Sequence, residues 1–126
     1  MMQSDRTCRR VLVVDDENII ADSLTMILKR SGFEAQAVYS GETAIETARD
    51  LRPDALICDV ILRGMTGIEA AIRISRMLPA CRVILFSGQA ATADLLQHAR
   101  AEGHSFEIIS KPVHPQVLLN LLTKIA

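Results

Sequence analysis

Five short runs of apolar or β-branched residues punctuate the chain: VLVV (11–14), EAQAV (34–38), ALIC (55–58), RVILF (82–86) and FEII (106–109). Their length and composition predict strands. Between them the apolar positions recur at three- and four-residue spacing, as in Ile20, Leu24, Ile27 and Leu28, or Leu118, Leu121, Leu122 and Ile125. Ala44, Ala48 and Leu51 continue the pattern, as do Ile68, Ala71 and Ile72. That period predicts amphipathic helices. The spacer 89–101 is Ala-rich, with Leu95 and Ala99 as its best-spaced apolar pair, and it too is read as a helix. Punctuation agrees with these limits: Gly32 follows the first helix, Ser40 can cap the second, Pro53 and Pro79 close the second and third, and Pro115 suits the first turn of the last.

Strict alternation of strand and helix predicts an α/β, doubly wound fold, a five-stranded parallel sheet with helices on both faces. In such sheets ligands bind beyond the carboxyl ends of the strands, where strand order reverses. Those ends carry the polar residues of interest. Asp15, Asp16 and Glu17 follow strand one, Asp59 ends strand three, Ser87 strand four and Lys111 strand five. In the flavodoxin-like strand order 2-1-3-4-5, these four strands are neighbours and their ends converge on one rim.

Composition narrows the partners. The chain has 126 residues, 49% hydrophobic and 23% charged, within the range of one soluble domain able to bury its own core. A lead-in of 1–9 and a domain of 10–126 are expected. Fourteen Lys and Arg against 15 Asp and Glu, a net charge of -1, give no electrostatic reason for a nucleic-acid or membrane-surface partner. Cys8, Cys58 and Cys81 are odd in number and lack metal-ligand spacing, which fits reduced thiols. The first residues, MMQSDRTCRR, lack the apolar core of a signal peptide, so a cytoplasmic location is expected.

Crowded carboxylates repel one another, so the cluster of Asp15, Asp16 and Asp59 calls for a cation. Oxygen ligands with room for water and phosphate suit Mg²⁺. Lys111 can neutralise an anion opposite the metal, and Ser87 offers it a hydroxyl. An aspartate can itself be the nucleophile that accepts a phosphoryl group, and Asp59, alone at the end of the central strand, is the candidate.

At this point a resemblance becomes specific. VLVVDDE, SGETA, DVILRGMTG, ILFSG and SKP occur in order and at the spacing of response-regulator receiver domains, the CheY-like family. The resemblance spans nearly the whole chain. It implies phosphotransfer to Asp59 from a histidine kinase or histidine phosphotransfer protein. It implies direct Mg²⁺ contacts from Asp16, Asp59 and the Ile61 backbone carbonyl, with Asp15 acting largely through water. Ser87 and Lys111 would bind the phosphoryl oxygens, and the Lys111–Pro112 bond would be cis. Such a protein is not an enzyme beyond its own phosphorylation and dephosphorylation, and it signals to a downstream protein target through the surface around the 89–101 helix and the fifth strand. A stand-alone receiver is expected.

Two departures from the family stand out. Arg63 and Leu62 occupy positions where the loop after the phosphoacceptor usually carries proline and methionine. More consequentially, the switch aromatic expected three positions before the lysine is Ile108. Phe106 lies two residues earlier and, by the period of a strand, on the same face, so Ser87, Phe106 and Ile108 are the switch candidates. Two rivals are weaker. A haloacid-dehalogenase-type phosphatase needs a second Asp two residues after the nucleophile, where Ile61 stands. A pseudo-receiver, binding partners without phosphorylation, would not need the Asp15, Asp16, Asp59 and Lys111 set.

Overall fold

Each apolar run expected to be a strand forms one. The computed structural model describes residues 9–88, 97, 99–101, 103–104 and 106–123. In chain order these form β1 (Arg10–Val14), α1 (Asn18–Arg30), β2 (Glu34–Val38), α2 (Gly41–Leu51), β3 (Ala55–Asp59), α3 (Gly67–Met77), β4 (Arg82–Ser87), β5 (Glu107–Ser110) and α4 (Pro115–Thr123). Of the spacer 89–101, residues 97 and 99–101 are helical; the rest of that expected helix, together with Cys8 and His98, lies outside the described residues.

All pairings are parallel, as the alternation predicts, and the sheet order is β2-β1-β3-β4-β5, the flavodoxin-like order expected. Period-two alternation divides the core between the two faces. Val11, Val13, Ala55, Ile57, Ile84 and Phe86 pack with Leu24 and Leu28 of α1 and Leu118 and Leu122 of α4. Leu12, Val14, Leu56, Cys58, Val83 and Leu85 pack on the other face with Ala44 and Ala48 of α2 and Ile68 and Ile74 of α3. β3, in the middle, is buried at all five positions.

Local chemistry fixes the helix ends. The Ser40 hydroxyl accepts the Thr43 N–H at 3.1 Å, as expected of the residue before α2. Thr66 does the same for Glu69 at the start of α3. Gly32, after α1, has φ of +100°, a conformation that glycine alone adopts readily. Among the described residues no helix is long and apolar enough to cross a membrane.

Two local expectations shift by one residue. Aligning the polar strand ends would place Asp59 opposite Ser87, but Asp59 pairs with Phe86. Register here follows how the helices pack on the sheet, and that is not encoded at the strand ends. Likewise β5 begins at Glu107, because Phe106 turns aside to stack on His104 with ring centroids 5.7 Å apart.

Candidate functional site

Strand parity aims three of the site residues. Asp15 continues the series Val11, Val13; Asp59 continues Ala55, Ile57; Lys111 continues Ile109. All three therefore leave the sheet on the α1 and α4 side, at or just past its carboxyl edge. Asp15 is fully buried and Asp59 only 4% exposed, whereas Asp16, of opposite parity, is half-buried. One carboxylate oxygen from each of Asp15, Asp16 and Asp59 lies within 4.8 Å of the others.

Each oxygen of Asp59 has a partner. Oδ1 accepts the Ile61 N–H at 3.1 Å, and Oδ2 accepts the Lys111 ammonium at 2.8 Å. The Ile61 main chain is thereby held beside Asp59, consistent with the ligand role that the resemblance implies for its carbonyl. Asp15 is engaged on one side: Oδ1 accepts the Glu17 N–H at 2.9 Å, while the buried Oδ2 has no hydrogen-bond partner among the described residues. Asp15 thus closes the turn into α1 and also faces the cluster. Asp16 Oδ2 accepts the Arg63 N–H at 3.1 Å, which ties the loop after β3 to the end of β1.

The electrostatics follow from this packing. Burial pushes the Asp15 carboxyl above its usual range; the Glu17 N–H and Lys111 oppose that rise, and the charges of Asp59 and Glu17 add to it. Burial disfavours the Lys111 ammonium, but its hydrogen bond to Asp59 and the charges of Asp59, Asp15 and Glu17 outweigh that, so its pKa lies above the ordinary value. Lys111 Nζ also sits 5.5 Å from the centroid of the Phe86 ring. The Lys111–Pro112 bond is cis, as the resemblance implies. Cys58, wholly enclosed, has its thiol pushed up by burial and by the nearby Asp59 and Asp15, which suits a core residue and not a reactive thiolate.

A family model of the response regulator receiver domain matches residues 11–123. The chain belongs to this family. The DNA-binding response regulator MtrA of Mycolicibacterium smegmatis is 30% identical over 115 residues, 91% of this chain and 49% of MtrA, so the chain spans about half the length of that relative. Chemotaxis protein CheY of Thermotoga maritima is 29% identical over 119 residues, 94% of this chain and 98% of its own length. Among solved structures, the CheY-like receiver domain protein of Methanospirillum hungatei matches with a TM-score of 0.82 at 25% identity, covering 92% of this chain and 91% of that one. CheY4 of Vibrio cholerae gives 0.78 at 27% identity, covering 95% and 100%. The protein is a receiver of two-component signalling.

The receiver does not gather every candidate residue. Ser87 stands at the rim, its carbonyl accepting the Lys111 N–H at 3.1 Å. Ile108 pairs with Leu85, and its side chain is 44% exposed. Phe106 precedes Glu107, which pairs with Ile84, so Phe106 lies level with Val83, four residues down the strand from Ser87. At about 3.3 Å per residue, Glu107 already stands some 10 Å down the strand from Ser87, and Phe106 lies beyond it.

Two positioning residues were not singled out from the sequence. A Cβ on Gly67 would lie 1.8 Å from the Asp59 carbonyl oxygen, so the first turn of α3 packs directly on the Asp59 backbone. The Gly67 N–H donates to Val60 O at 2.8 Å across the same contact. Phe86, under the lysine, is the other. A glycine just before a helical apolar run signals the first; nothing local signals the second.

Proposed function

We propose that this receiver accepts a phosphoryl group on Asp59 from a phosphohistidine of a histidine kinase or histidine phosphotransfer protein, in a Mg²⁺-dependent reaction. The observation that carries the proposal is the setting of Asp59, almost buried, with a lysine at 2.8 Å and two further carboxylates beside it. The residues fit the metal: the donors are all oxygens, and Asp15 Oδ2, buried without a partner, is an acceptor that protein groups leave unfilled. Asp15, Asp16, Asp59 and the Ile61 carbonyl would hold it. When bound, Mg²⁺ supplies positive charge against the transferring phosphoryl oxygens.

The transfer is an in-line displacement. A carboxylate oxygen of Asp59 forms a bond to phosphorus as the bond from phosphorus to the donor imidazole nitrogen breaks, and the electron pair leaves on the ring. Asp59 needs no general base, since it reacts as the carboxylate. Lys111 keeps its proton through neutral pH and follows the charge from Asp59 Oδ2 to the phosphoryl oxygens. The Ser87 hydroxyl donates to the same oxygens. The receiver catalyses nothing beyond this phosphorylation and the hydrolysis that releases the group as phosphate.

Phosphorylation would change the surface around β5 and the segment before it, where Ile108 is exposed, and a downstream protein would read that change in the cytoplasm. Incubation with Mg²⁺ and a small phosphodonor such as acetyl phosphate, followed by intact mass, tests the proposal. One phosphoryl adduct is expected on the wild type and none on Asp59→Asn. No adduct on the wild type points instead to a pseudo-receiver.

A further inference from the structure

Lys111 pairs with Asp59 in the acidic cluster, and a second cation stands beside Asp16. Arg63 Nε lies 3.7 Å from Asp16 Oδ2, the oxygen that also accepts the Arg63 main-chain N–H. The main-chain bond pins the loop whatever side chain Arg63 carries. The guanidinium lies near Asp16, while its side chain stays 90% exposed against 20% for Asp16. Among the described residues, three carboxylates facing one ammonium leave two further negative charges, and this arginine offsets one of them.

We propose that Arg63 is an internal counter-ion to Asp16, one that a divalent cation must displace, and that it thereby weakens Mg²⁺ binding at this site. This rests on the reading of the site given above. Whichever oxygen of Asp16 takes the ion, a dication and a guanidinium beside one carboxylate repel each other. Whatever Arg63 adds to the metal-free state but not to the loaded state is subtracted from the affinity for metal, because the two are linked. An exposed ion pair is weak, so the effect is on the order of a two- to fivefold change in Kd. The same exposure makes it sensitive to salt. Arg63 is a positioning residue here; it tunes the cation occupancy on which phosphotransfer to Asp59 depends.

The test uses Mn²⁺ as the probe, with free ion followed by electron paramagnetic resonance and confirmed by Mg²⁺ competition. Arg63→Gln is expected to bind the cation about two- to fivefold more tightly at low ionic strength, with the gap closing as KCl is raised. Arg63→Lys, which keeps the charge, should stay near the wild type. Arg30→Gln is the control for net charge, since Arg30 ends the 13-residue α1, about 18 Å along the helix from the cluster. Metal-free Arg63→Gln should also melt below the wild type, and saturating Mg²⁺ should abolish that difference. Equal or weaker binding by Arg63→Gln overturns the inference, as does equal tightening in Arg30→Gln. If the wild type binds no Mn²⁺ that Asp59→Asn loses, the site reading itself fails and the inference with it.

Discussion

Lys111 is the residue on which charge, geometry and function meet. Burial favours its neutral form, but Asp59, Asp15 and Glu17 hold the proton, so its pKa in the folded protein exceeds the ordinary 10.5. A lysine with a raised folded pKa stabilises the fold fully below its unfolded value and loses that contribution as pH rises through the folded one. Lys111→Met is therefore expected to be less stable than the wild type by a margin that is constant from about pH 8 to about pH 10 and narrows above ~10.5. Urea unfolding of both proteins across that range measures it, and taking the difference removes the other alkaline titrations. A margin that widened above ~10.5 would contradict the ion pair. SKP, with its lysine at a strand end, made this residue legible in the sequence. Phe86 beneath it was not, since a core phenylalanine gives no sign of which side chain will lie over its ring.

At the scale of elements, the junction of β3 and α3 positions Asp59. α3 begins at Gly67, capped by Thr66, and its first residue abuts the Asp59 carbonyl so closely that a methyl has no room. Because the obstacle is backbone, Gly67→Ala must push α3 away or distort the end of β3. A loss of about 3 kcal/mol is expected, at the upper end of overpacking costs, with a lower yield of phosphoryl adduct even where the protein stays folded. Denaturant midpoints and intact mass give the two readouts; a loss below about 1 kcal/mol would mean that the junction yields easily. Elements themselves were legible because their signals are local. Periodicity placed the apolar faces of α1, α2 and α3, and Ser40 marked the start of α2. The one-residue register difference between β3 and β4, and the turning aside of Phe106 before β5, were not legible, because each depends on what packs from another part of the chain.

For the molecule as a whole, the acidic cluster sets the proposed metal site against stability. Asp15 is buried with one oxygen unpartnered, and its carboxyl is pushed above 3.8 chiefly by burial. The folded state thus holds a proton there that the unfolded chain has already lost. Stability falls as pH rises from 3.8 through the folded value, and at neutral pH the ionised group destabilises the metal-free fold. Asp15→Asn keeps the Oδ1 acceptor for Glu17 while removing the charge. It should raise metal-free stability by about 1 kcal/mol, or ~4 °C in Tm. Mg²⁺ at a hundred times its Kd should add about 2.7 kcal/mol to the wild type and less, at the same concentration, to Asp15→Asn. Calorimetry with and without Mg²⁺ checks both; a lower metal-free Tm for the variant would mean that the carboxylates do not strain the fold.

By itself the sequence determined the alternation of strands and helices, the faces they bury and the polar residues at the strand ends, because each depends on neighbours within a few positions. From those and one ordering rule, Asp15, Asp16, Asp59, Ser87 and Lys111 could be assigned to a single rim. Only the tertiary structure decided how they meet: that Lys111 donates to Asp59 Oδ2, that Asp15 Oδ2 is left without a partner, that Arg63 leans on Asp16, and that Gly67 touches the Asp59 backbone. Those contacts join residues far apart in the chain. Their distances depend on register and loop path, which the packing of the whole molecule fixes and which no local pattern carries.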